Sequence, residues 1–439
     1  MHTAAAATSD PLPHLLVVIP VVILASGLGA WAVRRFGQPA VVGEIAVGIC
    51  LGPSLLGLVW PDAQHRLFPS GVLPFVGALG DLGLLAFMFL IGLALDIGLL
   101  RGHSRTAVAV SQMSIALPLV LGSALALGMY GTFAPPGVGR VPFVLFIAVS
   151  MSITAFPVLA RILTERDLYR TRTGAVAMAC AAVDDVTAWC LLAVVVAVAG
   201  NSSLTSVLVT VGLSVLYMLA MLYAVRPLLV RWFARAERKL SDSAVLVVLF
   251  SGLCLSALAT QKIGVHALFG AFVFGTVVPR DSPVVERAAA RLQAVAVPIL
   301  LPLFFVSTGL KTDLAALARS GEQWLWGLAV MAVAVLGKWG GGSVAARIAG
   351  QRWRDSLAIG VLMNCRGLTE LVVLNIGLSL KVISTDLFTI LVVMALLTTA
   401  MTSPALTRIL GSRPEPEPEA ADAGRTARPA RSKEPAETA

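Results

Sequence analysis

Two adjacent aspartates, Asp184 and Asp185, interrupt the apolar run GAVAMACAAVDDVTAWCLLAVVVAVAG at residues 174–200. An ionised side chain in hydrocarbon costs at least ~2.5–3.5 kcal/mol, so such a pair needs something to neutralise it. The carboxylates can bind a proton or a small cation reversibly, share one water as an acid–base pair, or lock the fold by pairing with buried bases. Neighbouring helical positions point ~100° apart, whereas a shared water needs two carboxylates converging on one point. The spacing therefore disfavours the second chemistry and gives each aspartate its own surroundings. Structural pairing would need two buried cations. Lys338, in AVLGKWGGG, is the only lysine inside an apolar stretch and is a partner for one aspartate. It lies about midway between Glu322 and Arg347, too deep for its ammonium to reach water along its own stem.

Two more apolar stretches carry polar groups and helix breakers. In VSMSITAFPVLARIL, Pro157 removes a backbone donor, and Ser152 and Thr154 can re-satisfy the freed groups. In MNCRGLTELVVLNIGL, Asn364, Arg366, Gly367 and Glu370 occupy what should be apolar core. Arg366 and Glu370 are four apart and can pair with each other on a helix. Broken helices at membrane depth are tolerated only where protein or a cavity surrounds them.

Composition sets the elements that hold these residues. The chain is 57% hydrophobic and 13% charged, with mean hydropathy +0.88. A soluble domain carries about a quarter charged residues, so a water-soluble enzyme or binding module is excluded. A bilayer core of ~30 Å needs ~20 apolar residues per helix. Thirteen stretches qualify, the first at 14–33 and the last at 384–410. The fifth (141–164) and twelfth (355–379) are the interrupted ones, the sixth (173–199) holds the aspartates and the eleventh (323–346) holds Lys338. The third is placed at 81–100 and the tenth at 292–310, while 242–260 and 264–279 read as two spans or one long interrupted span. The expected fold is an all-α polytopic membrane protein with about 13 transmembrane helices.

Eighteen Lys and Arg residues fall in every second loop and six in the others. Positive residues collect on the cytoplasmic side, so the N-terminus is expected outside and the C-terminus inside, with the net charge of +9 reflecting loops rather than nucleic acid. Residues 1–13 then form an extracytoplasmic segment, 14–410 the transmembrane domain, and 411–439, rich in Pro, Ala and both charge signs, a disordered cytoplasmic tail. No basic segment precedes the first helix, which is read as retained rather than as a cleaved signal. The five cysteines are read as small core residues, Glu44, Asp81 and Asp96 as structural, and His266 as a packing histidine.

If helices 1–6 and 8–13 are two halves joined by helix 7, each broken helix is fifth in its half, and the odd linker inverts one half relative to the other. Interrupted segments at matching positions of inverted repeats point to a transporter's substrate site.

At these residues the chain closely resembles the monovalent cation:proton antiporter-2 family of the sodium/hydrogen exchanger superfamily. The matching stretches run in order: VVGEIAVGICLGPSLLG, FMFLIGLALD, SMSITAFPVLARIL, AAVDDVTAWCLL, GVHALFGAFVFGTVVPR, LPLFFVSTGLKTDL, GKWGGG and MNCRGLTELVVLNIG. The resemblance implies a bacterial Na⁺(K⁺)/H⁺ antiporter, a homodimer with two inverted six-helix repeats in which broken helices 5 and 12 cross beside the aspartate helix. It also implies that Asp185 is the shared carboxylate for a monovalent cation and a proton and that Asp184 is its partner. Lys338 would salt-bridge Asp184, and Thr154 would help ligate the ion through its backbone or hydroxyl. Plant-type relatives commonly carry Asn-Asp at the pair, and glutathione-gated potassium efflux systems carry Gln-Asp. The Asp-Asp pair here departs from both, and Na⁺ and K⁺ both stay open.

The expected function is secondary antiport by alternating access in the inner (plasma) membrane. No cofactor, enzymatic activity or nucleic-acid partner is expected. The partners are Na⁺ or K⁺, H⁺, the lipid bilayer and a second copy of the chain. The rivals are an organic-anion symporter on the same fold, which would want extra polar side chains at the crossing and no Lys338, and an intramembrane aspartyl protease.

Overall fold

The computed structural model describes residues 11–94, 100–166, 168, 171–199, 204–236, 241–314 and 321–411. Helices are numbered by apolar stretch: α1 (Leu12–Arg34), α2 (Ala40–Leu51), α3 (Leu73–Ala94), α4 (Leu100–Phe133), α5a (Arg140–Ser152), α5b (Phe156–Glu165), α6 (Arg172–Ala199) and α7 (Leu204–Ala220). They continue with α8 (Asp242–Ile263), α9 (Ala267–Val277), α10 (Pro283–Leu310), α11 (Gly321–Ile348), α12a (Trp353–Met363), α12b (Leu368–Ser379) and α13 (Thr385–Leu410). No strand occurs among the described residues. Residues 1–10, Asp96 and the tail from 412 lie outside them, as do the side chains of Pro157 and Arg161.

By length and composition, eleven of the described helices can cross a membrane. The other two expected spans are the divided α5 and the short α9. At 1.5 Å per residue, the 11 residues of α9 rise about 16 Å, roughly half of a bilayer core. Gly264, at φ 97°, closes a tight turn after α8, and Ser256 Oγ donates to the Gly270 carbonyl at 2.7 Å. α9 therefore folds back on α8, and the pair is a hairpin rather than one long span.

Two helices start earlier than hydropathy predicts, α3 at Leu73 and α10 at Pro283. The opening of α10 is amphipathic: Val284, Val285, Ala288 and Leu292 are buried, while Arg287 and Arg291 reach Asp242 of α8 at 3.0 and 2.9 Å. A window that averages hydropathy overlooks such turns. Of the cysteines, Cys180 and Cys365 are buried as expected, but Cys50 and Cys190 are on the outer surface.

The helices sort into two bodies. α1, α2, α3, α8, α9 and α10 pack on one another, as do α4, α5, α6, α11, α12 and α13, and α7 with its continuation to Ala236 touches both. Each body takes three consecutive helices from each half of the sequence. Small residues let the backbones of the first body approach closely: a Cβ at Gly275 of α9 would collide with the Phe89 carbonyl of α3, and one at Gly309 of α10 with the backbone at Gly48 of α2. The bodies are bridged by polar contacts at the end of α10. Lys311 Nζ donates to Asn375 Oδ1 of α12b at 2.9 Å, Asn375 Nδ2 donates to Thr308 Oγ1 at 2.9 Å, and Asp81 of α3 is the electrostatic partner of Lys311.

The break in α5 differs from the sequence expectation in its cause. The helix ends at Ser152, Ile153 is extended at φ −76° and ψ 136°, and α5b begins at Phe156. Pro157 thus lies in the first turn of α5b, where a missing N–H costs no helical hydrogen bond. The interruption precedes the proline.

Candidate functional site

The two interruptions meet. Ala155 N–H donates to the Cys365 carbonyl at 3.0 Å, and Thr154 Oγ1 lies 3.0 Å from the Met363 carbonyl. Backbone groups released by one broken helix are thereby satisfied by the other, which is the condition for irregular chain at membrane depth. Arg366 staples the crossing. Its Nη1 donates to the Ser150 carbonyl and to Glu370 Oε2, both at 3.0 Å, and its Nη2 donates to the Met151 carbonyl at 2.5 Å. A cation thus sits on the last carbonyls of α5a, the end a helix dipole makes negative. Ser150 Oγ completes the cluster by donating to Glu370 Oε1 at 2.6 Å. Thr399 of α13 accepts from Arg366 N–H and donates to the Arg366 carbonyl.

Arg366 and Glu370 therefore pair with each other and hold the crossing. Ser152 serves packing too, its one hydroxyl proton shared between the carbonyls of Ala148 at 2.7 Å and Ile115 at 3.2 Å. His266 caps α9, its Nδ1 accepting from Leu268 N–H at 3.4 Å.

α6 brings the aspartates alongside the crossing, where both are buried. Their surroundings differ sharply. Lys338 Nζ lies 3.0 Å from Asp184 Oδ2, with both side chains buried, and donates to Thr154 Oγ1 at 2.6 Å. Thr154 Oγ1 is 2.8 Å from the same Oδ2, so its single proton is shared between Asp184 and Met363. Lys338 sits in a π-helical turn, Leu336–Gly340. Such turns are frequent at functional sites because they displace one side chain from the helical register.

Asp184 also has two partners that sequence reasoning overlooked. Ser111 Oγ of α4 donates to Oδ1 at 2.5 Å, and Ser114 Oγ lies 3.2 Å from Oδ2. Both serines are fully buried. The available signal is a pair of hydroxyls three apart in SQMS, on one face of an apolar helix.

Asp185 points elsewhere. It accepts from the backbone N–H of Phe156 at the start of α5b, and among the described residues its Oδ1 has no hydrogen-bond partner. Asn364 Oδ1, buried at the other interruption, also lacks one. A carboxylate oxygen without a donor in a buried position is expensive. A proton or a desolvated cation at that oxygen removes the cost.

The family model for the transmembrane sodium/hydrogen exchanger matches residues 21–410. The chain belongs to the sodium/hydrogen exchanger family. This exchanger is 38% identical over 403 residues to the Na(+)/H(+) antiporter NhaS4 of Synechocystis sp., with 90% of this chain and 97% of that one covered. It is 39% identical to Cation/H(+) antiporter 20 of Arabidopsis thaliana and 34% to K(+)/H(+) antiporter 1 of Saccharomyces cerevisiae, 90% of it matching in each case. The matches span 48% and 46% of those two relatives, about half their length. Among solved structures, the exchanger superposes on the sodium proton antiporter MjNhaP1 of Methanocaldococcus jannaschii with a TM-score of 0.64. That likeness covers 92% of this chain and 98% of the other at 14% identity, and establishes a shared fold. The exchanger is thus a multi-pass membrane protein of a transporter family.

Proposed function

We propose that the chain is a secondary antiporter exchanging Na⁺ or K⁺ for protons, with Asp185 binding cation and proton in turn. The carrying observation is the asymmetry of the aspartates. Asp184 is saturated with donors, while Asp185 keeps an unpartnered oxygen beside the crossing of the broken helices. Charge balance gives the mechanism. The Arg366–Glu370 pair is internally neutral, and the empty site with paired Asp184 and Lys338 carries the single negative charge of Asp185. Moving a bare charge through low dielectric is costly. Neutralising Asp185 by either ligand removes that barrier, and rigid-body motion of one helix body against the other then exposes the site to alternate sides. Thr154, at the break, is the natural further ligand.

The runner-up, organic-anion symport, has weaker support. Among the described residues, both buried cations at the crossing are already bonded to carboxylates, Lys338 to Asp184 and Arg366 to Glu370. An intramembrane aspartyl protease is weaker still, because the two carboxylates hold different partners instead of one shared water.

In inverted membrane vesicles carrying the protein and an imposed pH gradient, addition of Na⁺ or K⁺ should dissipate the gradient, read as dequenching of a pH-sensitive dye. No response to Na⁺, K⁺ or Li⁺ across pH 6–9 defeats the antiport reading. We place the protein in the plasma membrane as a homodimer from its family resemblance, and its N-terminus outside and C-terminus in the cytoplasm from the bias of basic residues. A reporter fused after Leu410 should be active only in its cytoplasmic form; an extracytoplasmic reading overturns the orientation.

A further inference from the structure

We propose that Asn375, Lys311 and Thr308 form a latch between the two helix bodies, which shuts the site off from the membrane face opposite the basic loops and opens once in every transport cycle. The proposal rests on the antiport reading above and names the groups that must part when the bodies move. Inside each body the helices are keyed together through their backbones. Among the described residues, every glycine whose added Cβ would fall within 3.0 Å of a neighbour meets its own body. Such contacts cannot slide without collision. At the end of α10 the bodies are joined instead by hydrogen bonds that involve side chains, which water can replace.

Asn375 of α12b uses its whole amide there. Oδ1 accepts from Lys311 Nζ at 2.9 Å, and Nδ2 donates to Thr308 Oγ1 and to the Leu371 carbonyl, both at 2.9 Å. The partners fix the amide's orientation, because the reverse would set an NH2 group against the ammonium. Thr308 gives its own proton to the Phe304 carbonyl at 3.0 Å, so its oxygen is available to accept. A second tie lies beside the first, where Asp313 N–H donates to Thr389 Oγ1 of α13 at 3.2 Å. The segment that carries Lys311 and Asp313 is held to its own body by Ser54. That hydroxyl donates to the Thr312 carbonyl at 2.7 Å and accepts from Leu314 N–H at 3.0 Å. Lys311 has Asp81 of α3 as its electrostatic partner, so parting from Asn375 leaves its charge compensated within its own body.

The place of the latch sets which side it shuts. α10 begins at Pro283, near Arg287 and Arg291 on the basic side, and runs to the latch at its other end. Asn375 is seven residues past Leu368, the start of α12b, about 10 Å beyond the interruption at ~1.5 Å per residue. The latch therefore stands between the crossing and the face opposite the basic loops, which their charge marks as extracytoplasmic.

Strengthening a bond that holds the resting state raises the barrier out of it, and removing the bond lowers that barrier. Asn375→Asp turns the contact with Lys311 into an ion pair, and exchange in inverted vesicles should slow about tenfold, the effect of one strengthened charged bond. Asn375→Ala should exchange at or above the native rate. A merely structural asparagine would give the reverse order, with alanine the more damaging change, and that order overturns the latch.

The decisive test joins the bodies covalently. Cells carrying Thr308→Cys together with Asn375→Cys are treated with ethanediyl bismethanethiosulfonate, a short reducible thiol crosslinker, before inverted vesicles are made. Na⁺- or K⁺-driven proton release by the linked protein should fall to the vesicle background and recover with dithiothreitol. Each single-cysteine variant, which has the native cysteines too, should keep its activity through the same treatment. Linkage is read apart from transport, from the mass of the joined peptides that carry the two positions. No linkage, or undiminished exchange by linked protein, overturns the proposal. Should the double variant not insert, Asp313→Cys with Thr389→Cys puts the same question at the second tie, with the same outcomes. Absence of cation-driven proton release by the unsubstituted protein would instead sink the antiport reading.

Discussion

Asp185→Asn should reduce cation-driven proton movement to the vesicle background while leaving the protein folded and inserted. Asparagine keeps the shape and an oxygen that can accept from Phe156 N–H, as Asp185 does. It removes the titratable charge that a proton and a cation compete for. Because Asp185 Oδ1 satisfies no donor among the described residues, the structural loss is small. The relief of an uncompensated buried charge should hold the melting temperature at or above that of the unsubstituted protein. Function and stability should therefore separate: exchange disappears and the folded protein persists. Exchange at more than about one hundredth of the native rate, equivalent to a barrier change below ~2.7 kcal/mol, would show that another group binds the ions.

The second large effect is expected at the neighbouring carboxylate, and it differs in kind. Asp184→Asn strips the partner from Lys338, which is buried and 3.0 Å from Asp184 Oδ2. Breaking a buried pair by removing one member costs about 3–5 kcal/mol, so the variant should melt well below the unsubstituted protein when Lys338 is charged. The lysine escapes that cost by giving up its proton. It then no longer carries one in each cycle, and exchange should pass from two protons per cation toward one. A native cycle that also releases the Lys338 proton moves one net charge, and 100 mV contributes ~2.3 kcal/mol per charge. With a fixed pH gradient, the Na⁺ or K⁺ gradient that just halts net flux should depend on an imposed potential in the native protein and lose that dependence in Asp184→Asn. A native balance point insensitive to potential would dispose of the electrogenic cycle.

Part of this site is legible in the order of amino acids alone. Asp184, Asp185 and Lys338 stand out because charge inside an apolar run is expensive wherever the run finally packs. The twelfth helix betrays its interruption for the same reason, through Asn364, Arg366 and Glu370. The partners of these residues are less visible. A serine in a membrane helix can satisfy itself on its own backbone, as Ser123 does on Leu119, so the shared face of Ser111 and Ser114 does not reveal their partner until α6 is placed beside α4. Arg366 shows only its i,i+4 partner in sequence, whereas its bonds to the Ser150 and Met151 carbonyls come from a helix more than 200 positions away. Pro157 marks the correct helix, but the chain breaks three residues before it, at Thr154, where the crossing partner supplies what the backbone needs.

The amino-acid sequence by itself determined that this chain lives in a bilayer as apolar helices, which loops carry its positive charge, and which few residues are too costly to be incidental. Those properties depend on transfer free energy and helical periodicity, both read over a window of about twenty residues. Tertiary structure alone decided which aspartate is occupied and which is open. The partners of Asp184 lie 73, 30 and 154 positions away at Ser111, Thr154 and Lys338. A hydrogen bond reaches only about 3 Å, so the order in which α4, α5, α6 and α11 pack settles whether these groups meet. That packing leaves Asp184 fully bonded and the adjacent Asp185, one residue and ~100° further round the same helix, with an oxygen to spare.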